Sequence, residues 1–112
     1  MFGLSEHTLA LLKEYFLTKK DIQQVRIYGS RATGTEEKGS DIDLVIFTSA
    51  NRDLSGHIMA ELEDLPTPYI FDVIDYAYLK NPSLKDRIDS MSKLLFECAE
   101  LEGMPTKEKL EQ

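Results

Sequence analysis

A chain of 112 residues with a formal net charge of −7 has room for one core and no second substrate-binding lobe, and it lacks the clustered Lys and Arg that displace counterions from a nucleic-acid backbone. Direct nucleic-acid binding is therefore not expected. The single Cys98 excludes an internal disulfide framework, and Glu6 and Lys13 interrupt the first apolar stretch, so neither a signal segment nor a membrane span is expected and a cytoplasmic setting is.

Leu9, Leu12 and Phe16 recur at helical spacing behind Ser5, a candidate N-cap, which predicts an opening amphipathic helix over residues 5–19. Asp21 marks the turn after it. Residues 24–28 and 42–47 are rich in Val and Ile, as buried strands are, and they flank a polar loop over 29–40 bounded by glycines. From Leu54, a stripe of Ile58, Leu62 and Leu65 predicts a second helix that stops before Pro66 and Pro68. Residues 69–75 read as a third strand interrupted by two acids, Asp72 and Asp75. Asn81 followed by Pro82 is a cap with proline at the first helical position. Leu84, Ile88, Met91, Leu95 and Cys98 continue one face, so a long helix is predicted over about 82–101, with Cys98 as a small core hydrophobe and a frayed tail over 103–112. The order of elements predicts an α/β (α+β) fold, a small mixed β-sheet flanked by helices, organised as one domain over 1–112.

The chemistry concentrates between the first two strands. On a strand, Asp41 and Asp43 emerge on one face with Cα atoms about 6.8 Å apart, at a rise of roughly 3.4 Å per residue. Two carboxylates about 4 Å apart repel by roughly 4 kcal/mol at an effective dielectric near 20, so the pair calls for a cation, and Mg²⁺ is the hard oxygen-seeking choice. Parity allows only one acid of the third strand to join them. Asp72 is selected because it lies inside the apolar run, whereas Asp75 lies near its end and is expected to cap or support the next turn. Gly29 permits close backbone approach, and Ser30 offers a hydroxyl and an amide at the start of a short helix, where a phosphate is favoured. Arg31 is balanced between a phosphate contact and a surface ion pair. Gly34 and Gly39 let the loop turn back towards Asp41. These parts describe metal-assisted phosphoryl transfer with two Mg²⁺ ions, one on the triphosphate and one activating the attacking oxygen.

The run Gly29-Ser30-Arg31-Ala32-Thr33-Gly34, followed by Ser40-Asp41-Ile42-Asp43-Leu44, resembles the signature of the DNA polymerase β-like nucleotidyltransferases, and the resemblance spans residues 25–75. Within that superfamily the chain looks like the small MNT-domain, or minimal, nucleotidyltransferases, many of them antitoxins paired with a HEPN-domain toxin. The resemblance implies a polymerase β palm-like fold and Asp41, Asp43 and Asp72 as metal-binding catalytic carboxylates. It also implies that Gly29, Ser30, Arg31 and Ser40 hold the nucleotide. The implied activity is transfer of AMP from ATP to a tyrosine hydroxyl of the HEPN partner, within a hetero-oligomer. Glu36 and Glu37 are not prescribed by the motif.

Each feature has a plainer reading. A Gly-Ser pair is usually a turn, an Asp-x-Asp is usually a solvated strand edge, and Asp72 alone fits a structural acid; only their combination favours a metal site. His7 and His57 read as exposed helix residues without acidic company. The tyrosines read as core and edge aromatics. Two rival functions stand beside nucleotidyl transfer to a protein: a non-catalytic nucleotide-binding antitoxin that neutralises its partner by occlusion, and transfer to a small molecule, for which a second domain would normally hold the acceptor.

Overall fold

The structure, a computed structural model, describes residues 1–36 and 41–98. In chain order it has α1 (Glu6–Leu17), β1 (Ile22–Tyr28), α2 (Ser30–Thr33), β2 (Ile42–Thr48), α3 (Ser55–Glu63), β3 (Phe71–Asp75), a single 3₁₀ turn (Tyr76–Tyr78), α4 (Pro82–Met91) and β4 (Lys93–Glu97). The sheet order is β3-β2-β1-β4; β1 is antiparallel to both β2 and β4, and β2 is parallel to β3. This is the mixed sheet flanked by helices that the pattern of elements predicts.

The caps form as the sequence implies. The Ser5 side chain accepts from the Thr8 amide at 3.1 Å and that of Asn81 from the Leu84 amide at 3.1 Å, each satisfying a donor that the helix itself leaves open. Alternation then sorts β2: Ile42, Leu44 and Ile46 are fully buried on one face against Leu12 and Phe16 of α1 and Ile58 and Leu62 of α3. Val45 lies on the other face with Tyr28 and Ile88 of α4, flanked by Phe47 and Ile74. Each such aliphatic side chain stabilises the fold by about 1.5–3 kcal/mol, so the thicker layer on the α1 and α3 side dominates. The opposite face is the one on which Asp43 falls.

α1 and α3 are also tied by a polar cluster. Tyr15 Oη donates to Glu61 Oε1 at 2.6 Å, Lys19 Nζ lies 2.6 Å from the same oxygen, and His57 Nε2 lies 3.4 Å from it. His57 is exposed as expected, but it does have an acidic neighbour, one helical turn away.

The predicted helix over 82–101 is corrected: α4 ends at Met91, and residues 93–97 form a fourth strand. Apolar residues at 84, 88, 91, 95 and 98 match a helical period, yet Leu94, Leu95 and Phe96 are also a short apolar run of strand length. The tie is broken by β1. Its Val25 and Ile27 are fully buried, so its outer edge needs backbone partners, and β4 supplies them. Met91 and Leu94 end up exposed, and Cys98 is half-buried rather than in the core. Residues 99–112, including the predicted tail, lie outside the described residues.

Candidate active site

The register of the sheet assembles the site. Tyr28 is opposite Asp43 across the antiparallel β1 and β2 pair, and Asp43 is opposite Asp72 across the parallel β2 and β3 pair. Partners on adjacent strands lie about 4.8 Å apart, so one row across three strands carries a phenol and two carboxylates on the face covered by α4. Asp41 stands one residue before β2, on the exposed approach to that row.

Asp43 registers this crowding. Burial, then the charge of Asp72, then that of Asp41 push its carboxyl above the ordinary aspartate range, while Arg31 acts against them. Like charges are thus gathered around Asp43 at a cost, the condition under which a hard divalent cation fits a donor set of carboxylate oxygens. Among the described residues, however, no three His, Cys, Asp or Glu side chains come together closely enough to hold one ion. Asp43 feels the charge of the other two without the three closing on a point.

Gly29 is the tightest element of the site. Its φ of 76° and ψ of −155° belong to a region that essentially only glycine occupies, and a Cβ there would stand 2.5 Å from Asp43 Oδ2. The turn therefore lies directly against the Asp43 carboxylate because residue 29 has no side chain. Ser30 opens α2, and Gly34 closes it in the left-handed conformation with φ 77°.

Arg31 does not lie at the surface. Only 4 % exposed, it donates from Nε to the Asp41 carbonyl at 3.3 Å and from Nη1 to the Phe2 carbonyl at 2.9 Å, and its guanidinium lies 5.1 Å from the Tyr69 ring centroid. These contacts hold the two ends of the 29–41 loop together.

Of the two acids of β3 it is Asp72 that shares a face with Asp43, as parity expects, but burial is not the reason that sets it apart. Asp72 is exposed, so it is not the costly buried carboxylate that the apolar run suggests. Asp75 is the buried one, at 2 %, because odd positions of β3 face the α3 layer with Phe71 and Val73. It accepts from the amides of Leu54 at 3.1 Å and Ala77 at 3.3 Å, the capping and supporting role expected of it.

Beside the row lies a hollow of about 260 Å³ bounded by Gly29, Ser30, Thr33 and Thr35 on one side and by Arg87 and Met91 of α4 on the other, with Tyr28 at its floor. Burial and the charges of Asp72 and Asp43 raise the Tyr28 phenol far above its ordinary value, with Arg87 opposing, so the hydroxyl stays protonated and available as a donor. Ser40 and Gly39, expected at the mouth of the loop, lie outside the described residues.

Comparison with known proteins decides the family. The profile of the family described as polymerase beta nucleotidyltransferase matches residues 11–101, most of the chain. The chain belongs to that family. No curated protein matches it. Among solved structures, the fold is similar to that of a toxin–antitoxin with AMP-PNP, at a TM-score of 0.58 and 16 % identity over 88 % of this chain and 78 % of the other. It is also similar to that of a mutant of the toxin–antitoxin MntA–HpeT, at a TM-score of 0.64 and 19 % identity over 89 % of this chain and 78 % of the other. The resemblance to the polymerase β-like nucleotidyltransferases is thus met in the family, and the fold is shared with these toxin–antitoxin structures.

Two residues that line the hollow, Tyr28 and Arg87, were not marked as site residues by the sequence. Tyr28 was legible in principle, because it ends β1 immediately before Gly29. Arg87 was not, because no local signal ties α4 to the turn at Gly29. No helix of the described residues is long and apolar enough to cross a membrane.

Proposed function

We propose that this protein transfers AMP from ATP to a hydroxyl of a partner protein, a tyrosine of a HEPN-domain toxin, and thereby acts as its antitoxin. The observation that carries this reading is the in-register pairing of Asp43 with Asp72, with the Gly29 turn packed against Asp43. Support for the partner comes from the fold's likeness to chains of toxin–antitoxin structures, one of them with AMP-PNP.

Asp41, Asp43 and Asp72 would hold Mg²⁺, whose chemistry is to neutralise phosphate charge and polarise the phosphorus centre. The chain's own residues do the rest. The backbone at Gly29 and the Ser30 hydroxyl bind the phosphates, and Arg31 holds the loop so that Asp41 stays at the approach. Asp72, exposed beside Asp43, takes the proton of the incoming hydroxyl. That oxygen then forms a bond to the α-phosphorus, the α–β bridging P–O bond breaks, and pyrophosphate leaves.

The test is mass spectrometry of the candidate HEPN partner after incubation with this protein, ATP and Mg²⁺. A gain of one AMP on the partner, lost with Asp41→Asn, is the expected result. Neutralisation of the toxin by an Asp41→Asn, Asp43→Asn double variant, with no mass gain for any pairing, would replace transfer by occlusion.

A further inference from the structure

α4 presents three separate faces. Ile88 is buried against Tyr28 and Val45 of the sheet. Lys85 and Asp89, one turn apart, are both engaged with Tyr76: the ammonium lies 5.1 Å from its ring centroid and the carboxylate accepts from its hydroxyl at 2.6 Å. Arg87 and Met91, also one turn apart, line the hollow opposite Gly29 and Ser30. Among the described residues, Arg87 forms no ion pair, in a chain that carries 20 acidic residues against 13 basic ones. An exposed guanidinium that shares a hollow with a glycine turn and with Ser30, Thr33 and Thr35 is set to meet an anion. The hollow, at about 260 Å³, falls below the roughly 300–1,000 Å³ of pockets that enclose a whole drug-sized ligand, so it takes a part of a nucleotide.

We propose that Arg87 binds the β- and γ-phosphates of a nucleoside triphosphate across this hollow and sets the preference for triphosphate over monophosphate. This rests on the reading of the turn at Gly29 and Ser30 as the nucleotide's phosphate site. The planar guanidinium suits paired phosphate oxygens, and its place on α4 puts a positive charge in the same hollow as Gly29 and Ser30, where the leaving pyrophosphate has to be held.

The test is isothermal titration of the full chain with MgATP, MgADP and AMP, using wild type, Arg87→Ala, Arg87→Lys and, as a charge control on the same helix, Lys85→Ala. Arg87→Ala is expected to weaken MgATP roughly 10- to 100-fold, the range of a lost charge-assisted contact, and AMP by less than about twofold. Arg87→Lys should fall between, and Lys85→Ala should match wild type. If Arg87→Ala binds MgATP like wild type, or loses AMP as strongly as MgATP, the assignment is overturned while the nucleotide site stands. If wild type binds no nucleotide at all, the proposed function fails and takes this assignment with it. Thermal melts of each variant show that the fold is kept, and Arg87→Gln replaces Arg87→Ala if it is not.

Discussion

Replacing Gly29 with alanine separates a cost to the fold from a cost to the site. The backbone conformation at residue 29, φ 76° and ψ −155°, is one in which a side chain costs about 1–3 kcal/mol. For a chain of this length that lowers the melting temperature by roughly 4–15 °C. The added Cβ also falls 2.5 Å from Asp43 Oδ2, a contact no real Cβ makes, so one of the two must move. The carboxylate is the end of a flexible side chain while residue 29 is anchored between β1 and α2, so Asp43 swings away from the turn. Gly34→Ala is the matched control: its φ of 77° also strains a side chain, by about 1–2 kcal/mol, but nothing lies within 4 Å of its Cβ. The two variants therefore overlap in stability and part in binding. Calorimetric titration with MgATP should show Gly29→Ala weakened by about tenfold or more and Gly34→Ala within about twofold of wild type. Equal affinities for the two glycine variants would refute the claim that the missing side chain at residue 29 is what sets the turn against Asp43.

Asp43→Asn should raise the melting temperature at neutral pH by removing a charge that burial, Asp72 and Asp41 all disfavour. The folded state holds that proton more tightly than the unfolded state, so ionisation costs stability as pH rises through the window above the ordinary value of 3.8. The gain should shrink towards zero in melts below that pH, and a variant no more stable than wild type at neutral pH would count against the crowding. Asp75→Ala strands the Leu54 and Ala77 amides and should cost about 2–4 kcal/mol in urea unfolding, leaving MgATP affinity of the folded protein unchanged. Tyr15→Phe removes the 2.6 Å bond to Glu61 and should cost about 1 kcal/mol. In a double-variant cycle with Glu61→Gln, a coupling near zero would show that this bond contributes nothing to joining α1 and α3.

What lay open in the sequence was everything decided within a few residues. Ser5 and Asn81 cap helices because a short polar side chain reaches the next free amide, and β2 buries Ile42, Leu44 and Ile46 because strand side chains alternate. The same alternation placed Asp72 with Asp43 and left Asp75 to support the turn, and the spacing of Gly29, Ser30, Asp41 and Asp43 marked the family. What waited on tertiary structure was everything set by which segments meet. Residues 93–97 carry a pattern that suits helix or strand equally, and only the open edge of β1 chose strand. Asp75 is buried and Asp72 exposed because α3 covers one face of β3 and not the other, a matter of layers rather than of position within the run. Arg31 became a loop anchor because Phe2 and Tyr69 come to it from distant parts of the chain, and Arg87 reached the hollow because Ile88, the next residue, docks α4 on Val45. Local preference is a property of neighbouring residues, whereas register and cover depend on free energies summed over contacts between segments far apart in the chain.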